Sequence, residues 1–545
     1  MDAVESFTQS TFYNVGLQFS FRVFTFILNA FLLRLLTKDV LGVANVRLML
    51  LYTTISFLVR EPFRRACLQT SKSNDKSPST SKSNQCSFQP MVNVMWLCPA
   101  LALPISLILT FVWIYLLKLP DEKTVFYYKE TTFCYAVAMV VESLAEPLWI
   151  VAQQCKFVKM KALVEALQVF LRNSTTGLIL LLFPGWNLAA FAVAMLFSST
   201  AYTLLYYVYF HRKIAESRES QIENLPFDTF RQLLPDFNKE LDSDVLRLVV
   251  SFWKHSLVKQ FLTEGERYVM TVFNVLNFGD QGVYDVIHNL GSLVARFFFA
   301  PLEESSYAFF SWTVQRGKPA KEQDSENFQV ATSVLLALLK LTCLVGLIFC
   351  VFGSAYSWLA LDLYGGKILS SGKGPTLLRW YCVYVLLLAL NGISECFAFA
   401  TMRQEQIERH QRFLVFFCAL FLTASVFLSG QFGSVGFLWA NCLNMLLRIT
   451  YSLHYIRRYY NELPAVQPLW HLVPSRHMLG ALAISYLFAH LSAILFCCDG
   501  IANTLAHLFI GALCLCGTVM TINATDKQLV DFIEVYVLKR KLKED

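Results

Sequence analysis

Apolar residues in this chain fall into many separate runs, and fourteen of them are long enough to cross a bilayer. They lie at 13–33, 40–60, 91–117, 131–153, 161–183, 187–210, 250–276, 281–311, 328–353, 375–400, 411–429, 433–456, 478–497 and 502–521. Short loops join most of them. Two loops are longer: a Ser/Lys-rich stretch near 66–90 with the composition of a disordered linker, and a charged segment at 211–247. The pattern predicts an all-α polytopic membrane protein of about 14 transmembrane helices.

The basic residues give an independent check on that count. Loops after even-numbered spans hold Arg64, Arg65, Lys72, Lys76 and Lys82, then Lys156, Lys159 and Lys161, then Arg212 and Lys213. Further along they hold Arg316, Lys318 and Lys321, Arg403, Arg409 and Arg412, and Arg457, Arg458 and Arg476. Loops after odd-numbered spans are poor in Lys and Arg. A missed span would scramble this asymmetry, so the positive-inside rule puts both termini in the cytosol. The N-terminus has no basic region with a cleavage site, and the first span is expected to act as its own targeting signal.

The two halves of the chain echo each other. Arg22 and Asn29 match Arg267 and Asn274 at an offset of 245, and Gly42-Val43 matches Gly282-Val283 at an offset of 240. FLVREPFRR (57–65) aligns with FFFAPLEES (297–305), and Glu146 with Glu395 at an offset of 249. Six spans separate the copies, so they share one orientation and a pseudo-axis along the membrane normal. The expected division is an N-terminal lobe at 1–210, a cytosolic connecting loop at 211–247 and a C-terminal lobe at 248–457. Two additional spans at 478–521 and a cytosolic tail at 522–545 complete it.

Polar residues inside the spans carry the functional signal, because a charge at mid-bilayer costs about 2.5–3.5 kcal/mol on insertion scales. On the eighth span Asp285, Asn289, Ser292, Arg296 and Glu303 fall on one helical face about 27 Å long. His255, Lys259 and Glu266 align on the seventh. Asn14, Gln18, Arg22, Thr25 and Asn29 line the first, Glu142, Glu146 and Gln153 the fourth, and Asn441, Asn444, Arg448 and Ser452 the twelfth. A single polar residue of this kind can simply bond one helix to another. Buried cations need anionic partners, however, and Glu146, Glu264, Glu266 and Asp285 are the carboxylates expected to balance them. Facing stripes imply a hydrated cavity in which Arg22, Arg47, Lys259, Arg267, Arg296 and Arg448 would attract an anion. A diphosphate suits the guanidinium fork. Arg60, Arg64 and Arg65, at the cytosolic end of the second span, read equally as topology-setting snorkelled anchors or as a rim that captures a lipid head group.

Composition narrows the classes. The chain is 55% apolar and 16% charged, with 47 Phe, and no basic block interleaved with aromatics suggests nucleic acid. Its 15 Cys show no C-x-x-C pair or zinc spacing, and Cys497 and Cys498 read as packing residues. No metal or cofactor is expected. GGKILSSGKG (365–374) fails as a phosphate loop, because Gly374 stands where Ser or Thr is needed and no strand precedes it. No metalloprotease motif or nucleophile elbow is present. Transport is favoured over catalysis. Lys541-Leu542-Lys543-Glu544-Asp545 has the K-x-K-x-x form of a cytosolic retrieval signal of endoplasmic reticulum membrane proteins.

Several stretches together resemble the eukaryotic Rft family: FRVFTFILNAFLLR (21–34), GVANVRL (42–48), REPFRRAC (60–67), LTEGERYVMTVFNVLNFGDQGVYDVIHNLGSLVAR (262–296), LEES (302–305) and LYGGKILSSGKGP (363–375). The likeness covers nearly all of the chain except the Ser/Lys-rich loop. It implies the fold of the multidrug and oligosaccharidyl-lipid flippase superfamily, two six-helix lobes around a central cavity, and residence in the endoplasmic reticulum membrane. It also implies a step in N-glycosylation, the passage of dolichol-diphosphate-linked (mannose)5-(N-acetylglucosamine)2 from the cytosolic to the lumenal leaflet. By motif match, Arg22, Arg64, Arg65, Glu264, Arg267 and Arg296 carry over as important positions. The leading expectation is a glycolipid translocator, not an enzyme, whose partners are the lipid-linked oligosaccharide and the bilayer. The alternatives are an accessory protein associated with the N-glycosylation machinery and, against the arginine-rich stripes, an ion-coupled exporter of small cations.

Overall fold

A computed structural model of the chain describes residues 24, 26–74, 84–155, 157–220, 227, 229–236, 238–461, 474–497, 500–526 and 529–530. Arg22 and the K-x-K-x-x tail lie outside the described residues. Two compact units emerge, Met1–Gly282 and Val283–Asp545. Among the described residues both are helical, with no strand.

In the first unit a short helix over 26–33 (α1) precedes α2, Lys38–Gln69. The Thr37 hydroxyl caps α2 by accepting from the Val40 N–H at 3.4 Å. A π-helical turn at Val43–Leu48 interrupts its ladder. Then come α3 (Gln89–Leu116), α4 (Tyr128–Ser143), α5 (Glu146–Gln154), α6 (Val158–Leu182), α7 (Leu188–Ser217) and α8 (Ser243–Val272). Proline in the first turn of α5, Pro147, has no N–H to continue the α4 ladder, and the two helices meet at a 41° bend. Asp242 starts α8 by accepting from the Asp244 and Val245 N–H groups, each at 3.1 Å.

The core of this unit follows from four-residue spacing. Leu51, Ile55, Val59 and Phe63 stack on one face of α2, and Tyr202, Tyr206 and Phe210 on one face of α7. Met95, Cys98 and Ala102 of α3 complete the same cluster. Helix α8 lies lengthwise against α2. The helix expected to open the C-terminal lobe is counted with the first unit, which ends at Gly282.

The second unit takes up most of α9 (Phe278–Val294), which passes through a π-helical turn at Ala295–Phe299 into α10 (Ala300–Thr313). It continues with α11 (Ser325–Gly353), α12 (Gly374–Thr401), α13 (Gln404–Phe432) and α14 (Ser434–Tyr460). Helix α12 packs against α10, α11 and α14, with Phe310, Leu335, Phe397 and Tyr460 in the core between them. Gly433, at φ 62°, lets α13 turn directly into α14. The last pair, α15 (Arg476–Phe496) and α16 (Ile501–Thr525), pack on each other. They join α11 through Leu344, Val351, Met478 and Leu482. Cys497, expected to be a packing residue, is disulfide-bonded.

Eight of the described helices are long and apolar enough to cross a membrane, and the bent pair α4–α5 makes a ninth. Helices α6, α8 and α14 are not among them; they carry intramembrane charges, which lower their hydropathy. We retain fourteen crossings as a proposal.

Candidate functional site

The charged residues of the first unit are organised around the α4–α5 bend. Glu142 stands one turn before it and Glu146 opens α5, and both are buried. Arg60 of α2 bridges them: its Nη1 is 2.8 Å from Glu142 Oε1 and its Nε 3.1 Å from Glu146 Oε2. Arg64, one turn on, grips Glu146 with two nitrogens, Nε to Oε1 and Nη2 to Oε2 at 3.0 Å. Its guanidinium also covers the Trp149 ring at 3.7 Å, with Lys161 over the same ring at 3.6 Å. Glu142 accepts further from the Tyr52 hydroxyl (2.8 Å), Gln168 Nε2 (2.8 Å) and the Ser199 hydroxyl (3.1 Å). Trp149 Nε1 donates to Glu165 at 3.1 Å. Three cations, Arg60, Arg64 and Lys161, thus sit among three carboxylates, Glu142, Glu146 and Glu165.

This placement differs from the expected one for Arg60 and Arg64. They were expected at the cytosolic rim because the apolar run ends at residue 60. The helix instead continues to Gln69, and Arg60 and Arg64 turn into the protein. Arg65 remains more open, pairing with Glu61 at 2.7 Å, and Lys259 of α8 reaches the same Glu61 oxygen at 3.3 Å.

Arg47 sits in the π-helical turn of α2 and is fully buried. It finds no carboxylate but two helix ends. Its Nη1 donates to the Lys118 carbonyl beyond α3 at 2.6 Å, and its Nη2 to the Thr271 carbonyl in the last turn of α8 at 3.3 Å. The Phe278 ring lies 4.9 Å below. Helix C-termini carry partial negative charge, so this cation is neutralised by backbone. It joins three helices and is closed to a ligand.

In the second unit Arg448 of α14 pairs with Glu395 of α12 at 2.5 Å. Asn391 Nδ2 donates to the same carboxylate at 2.9 Å, and His410 Nε2 of α13 lies 3.3 Å from its other oxygen. Three helices are bolted together there. On α9, Asn289 Nδ2 donates to Asp285 at 3.0 Å, and Arg296 folds back along its own helix, donating to the Asn289 carbonyl (2.7 Å) and the Ser292 hydroxyl (2.8 Å). The side chain is exposed and has no carboxylate in ion-pair range among the described residues. The expected stripe therefore holds from Asp285 to Arg296. The π-helical turn then shifts the phase, and Glu303 packs against Gly392 of α12, where a Cβ would overlap its carboxylate. Glu264 pairs with Arg267 on α8 at 3.0 Å, and Glu266 is half-buried nearby.

The sequence did not single out Tyr52, Gln168 or Arg172. The available signal for Arg172 was an arginine near the middle of an apolar run, four residues after Gln168 on the same face. Among the described residues no group of three or more His, Cys, Asp or Glu is arranged to hold a metal.

These helices, with charges balanced inside each unit, define a polytopic membrane protein with the fold of lipid flippases and multidrug transporters. The lipid II flippase MurJ in its inward closed conformation matches with TM-score 0.58 at 12% identity, over 94% of this chain and 99% of that one. An inward-facing transporter of the multidrug resistance MATE family matches with TM-score 0.53 at 12% identity, over 81% and 95%. Sequence narrows the class further. The Rft protein family model matches residues 6–535, and the chain belongs to that family. A Xenopus tropicalis relative, the Man(5)GlcNAc(2)-PP-dolichol translocation protein RFT1, is 45% identical over 99% of this chain and 98% of its own length. The Mus musculus and Drosophila melanogaster proteins of the same name are 44% and 36% identical over 97% and 87% of the chain.

Proposed function

We propose that this protein moves dolichol-diphosphate-linked (mannose)5-(N-acetylglucosamine)2 from the cytosolic to the lumenal leaflet of the endoplasmic reticulum, for N-linked glycosylation. The observation that carries this reading is the end-to-end identity to relatives named for translocating that lipid. The fold of a lipid flippase supports it. In this reading both termini are cytosolic, no bond is made or broken, and the polyprenyl tail stays in lipid while polar groups escort the head group.

In this reading the residues divide by role. Arg47, Arg60, Arg64 and Arg448 hold helices together, and Glu146 and Glu395 balance them. Arg296, exposed and without a carboxylate, is free to meet the diphosphate. Arg267 would do so by exchanging Glu264 for substrate, and Arg22 and Arg65 would assist. Asp285, Glu266 and Lys259 set the local charge around them.

The test is translocation of the labelled lipid in vesicles reconstituted with purified protein. Flipping should appear with the wild type and fall about tenfold or more in Arg296→Ala, the loss of a charge-assisted hydrogen bond in the crossing state. Equal rates with and without protein would refute a direct role. Normal flipping in cells lacking the protein, with underused lipid, would assign it an accessory role beside the glycosylation machinery.

A further inference from the structure

The described part of the charged segment after α7 packs on the first unit and forms one wall of a pocket. Trp96 Nε1 of α3 donates to the Leu233 carbonyl and Gln89 Nε2 to the Leu234 carbonyl, each at 2.8 Å. Asn93 donates to the Asp236 carbonyl at 2.8 Å and accepts from the Asp236 N–H at 2.9 Å. Leu233 is buried, and a capping box between Thr229 and Gln232 closes the start of the short turn Phe230–Leu233. Phe230 is thereby held against the C-terminal part of α7. Its ring centroid lies 5.7 Å from that of Tyr207 and 6.3 Å from that of His211, which it meets edge to face. Tyr207 is itself fixed, donating to the Leu144 carbonyl at 3.2 Å. Together with Val208 and Arg212, these side chains line a pocket of about 310 Å³.

The pocket sits where hydrocarbon gives way to water. Val208 is about 30 Å along α7 from Leu188, the thickness of the hydrocarbon core. Phe197, Leu204 and Val208 are exposed, and with His211 and Arg212 they fall within about 100° of one helical face. An apolar stripe thus ends in two donors. Arg212 is exposed and makes no hydrogen bond or ion pair among the described residues, whereas its neighbour Lys213 is paired with Glu216 at 3.8 Å. His211 makes no hydrogen bond among them either.

We propose that this pocket holds the head group of an anionic glycerophospholipid, with its phosphate on Arg212 and His211 and its acyl chains along Val208 and Leu204. The guanidinium offers a fork to phosphate oxygens, and an imidazole N–H adds a point donor. A snorkelled arginine alone would meet any head group, but the Phe230 wall gives this one a shape to fit. A choline head group brings its own cation against Arg212, so a net negative head group is preferred. The site does not depend on translocation, and its lipid is not the one moved in the reading above.

Full-length protein in phosphatidylcholine nanodiscs doped with phosphatidylinositol would be released and its retained lipids counted by native mass spectrometry. Wild-type protein should retain phosphatidylinositol above its share of the bilayer. Arg212→Gln should lower that affinity about tenfold or more, Arg212→Lys less, and Phe230→Ala about threefold to tenfold. Arg212 has no partner in the fold to strand, so Arg212→Gln should melt with the wild type. Retention unchanged in Arg212→Gln overturns the site. Loss in Arg212→Gln with full retention in Phe230→Ala overturns the pocket and leaves a plain anchor. Equal retention of phosphatidylcholine overturns the preference for an anionic head group. Release of the retained phosphatidylinositol by an equimolar amount of dolichyl diphosphate overturns the assignment to a glycerophospholipid.

Discussion

Arg60→Met tests whether the arginines of the REPFRRAC stretch hold the fold or catch lipid. The substitution keeps most of the side-chain volume and removes one charge that two buried carboxylates share, with Arg60, Glu142 and Glu146 side chains 8%, 2% and 0% exposed. Deleting one partner of a buried pair costs about 3–5 kcal/mol. The lower end applies, because Glu146 keeps both bonds from Arg64 and Glu142 keeps three neutral donors. A loss of about 3 kcal/mol corresponds to roughly 6 °C in melting temperature for a unit of this size. Thermal unfolding of the detergent-solubilised protein, followed by tryptophan fluorescence, reads it. The second arm is Arg60→Met/Glu142→Gln, which also removes the stranded charge. A coupling of about 2 kcal/mol should return the double variant to within roughly 3–4 °C of wild type. If Arg60→Met melts like wild type, or the double variant is no better than the single, the arginine is not a structural clamp. The lipid-capturing rim read from the sequence would then be the better account.

Two further predictions concern packing. Gly42 and Gly282, matched by the repeat offset of 240, lie against each other: a Cβ on Gly42 would overlap the Phe278 carbonyl, and one on Gly282 would lie 2.8 Å from the Lys38 carbonyl. Lys38 and Phe278 are themselves 240 apart. Each Gly→Ala should cost about 1–3 kcal/mol, toward the upper end because backbone meets backbone, and the double variant should cost less than the sum. Additive losses would show that the two glycines do not share one crossing. Lys340 of α11 pairs with Asp526 just beyond α16. Asp526→Asn should raise hydrogen exchange across 501–525 by an amount equivalent to about 1.5–3 kcal/mol, with α12 unchanged, and equal protection in the variant would mean that the apolar contacts alone hold the last helix pair.

The helices were legible in the sequence because lipid demands unbroken apolar runs, and the positions of α11 to α16 follow from that alone. Their partners were not. Arg47 is satisfied by carbonyls 71 and 224 residues away, which no local pattern encodes. Arg60 looked terminal because hydropathy drops at residue 60, yet the helix runs on where protein replaces lipid as its surroundings. The Glu142–Glu146 face was legible from four-residue spacing. Its bend had a signal in Pro147 that hydropathy does not register. The stripe on α9 was readable only as far as the π-helical turn, since one extra residue per turn rotates everything after it.

The two units balance charge in mirror fashion. In the first, arginines on α2 clamp carboxylates at the α4–α5 bend. In the second, the segment matched to REPFRR carries Ala300 in place of Arg60 and Glu304 in place of Arg64, and Glu395, matched to Glu146, draws its cation from α14 instead. A reversed sign at Arg64/Glu304 with a buried glutamate kept two spans further on means that the repeat keeps a need for neutrality, not a set of residues. Arginines spent on neutrality cannot also bind substrate without exposing a buried carboxylate, at about the cost worked out for Arg60. Arg296, which no carboxylate holds among the described residues, can act on a phosphate at no such cost. Arg296→Gln should therefore weaken diphosphate-lipid binding while shifting the melting temperature by less than about 2 °C, roughly the shift from 1 kcal/mol. Arg60→Met should do the reverse. An Arg296 variant that melts as early as Arg60→Met would show that its charge, too, is held by the fold.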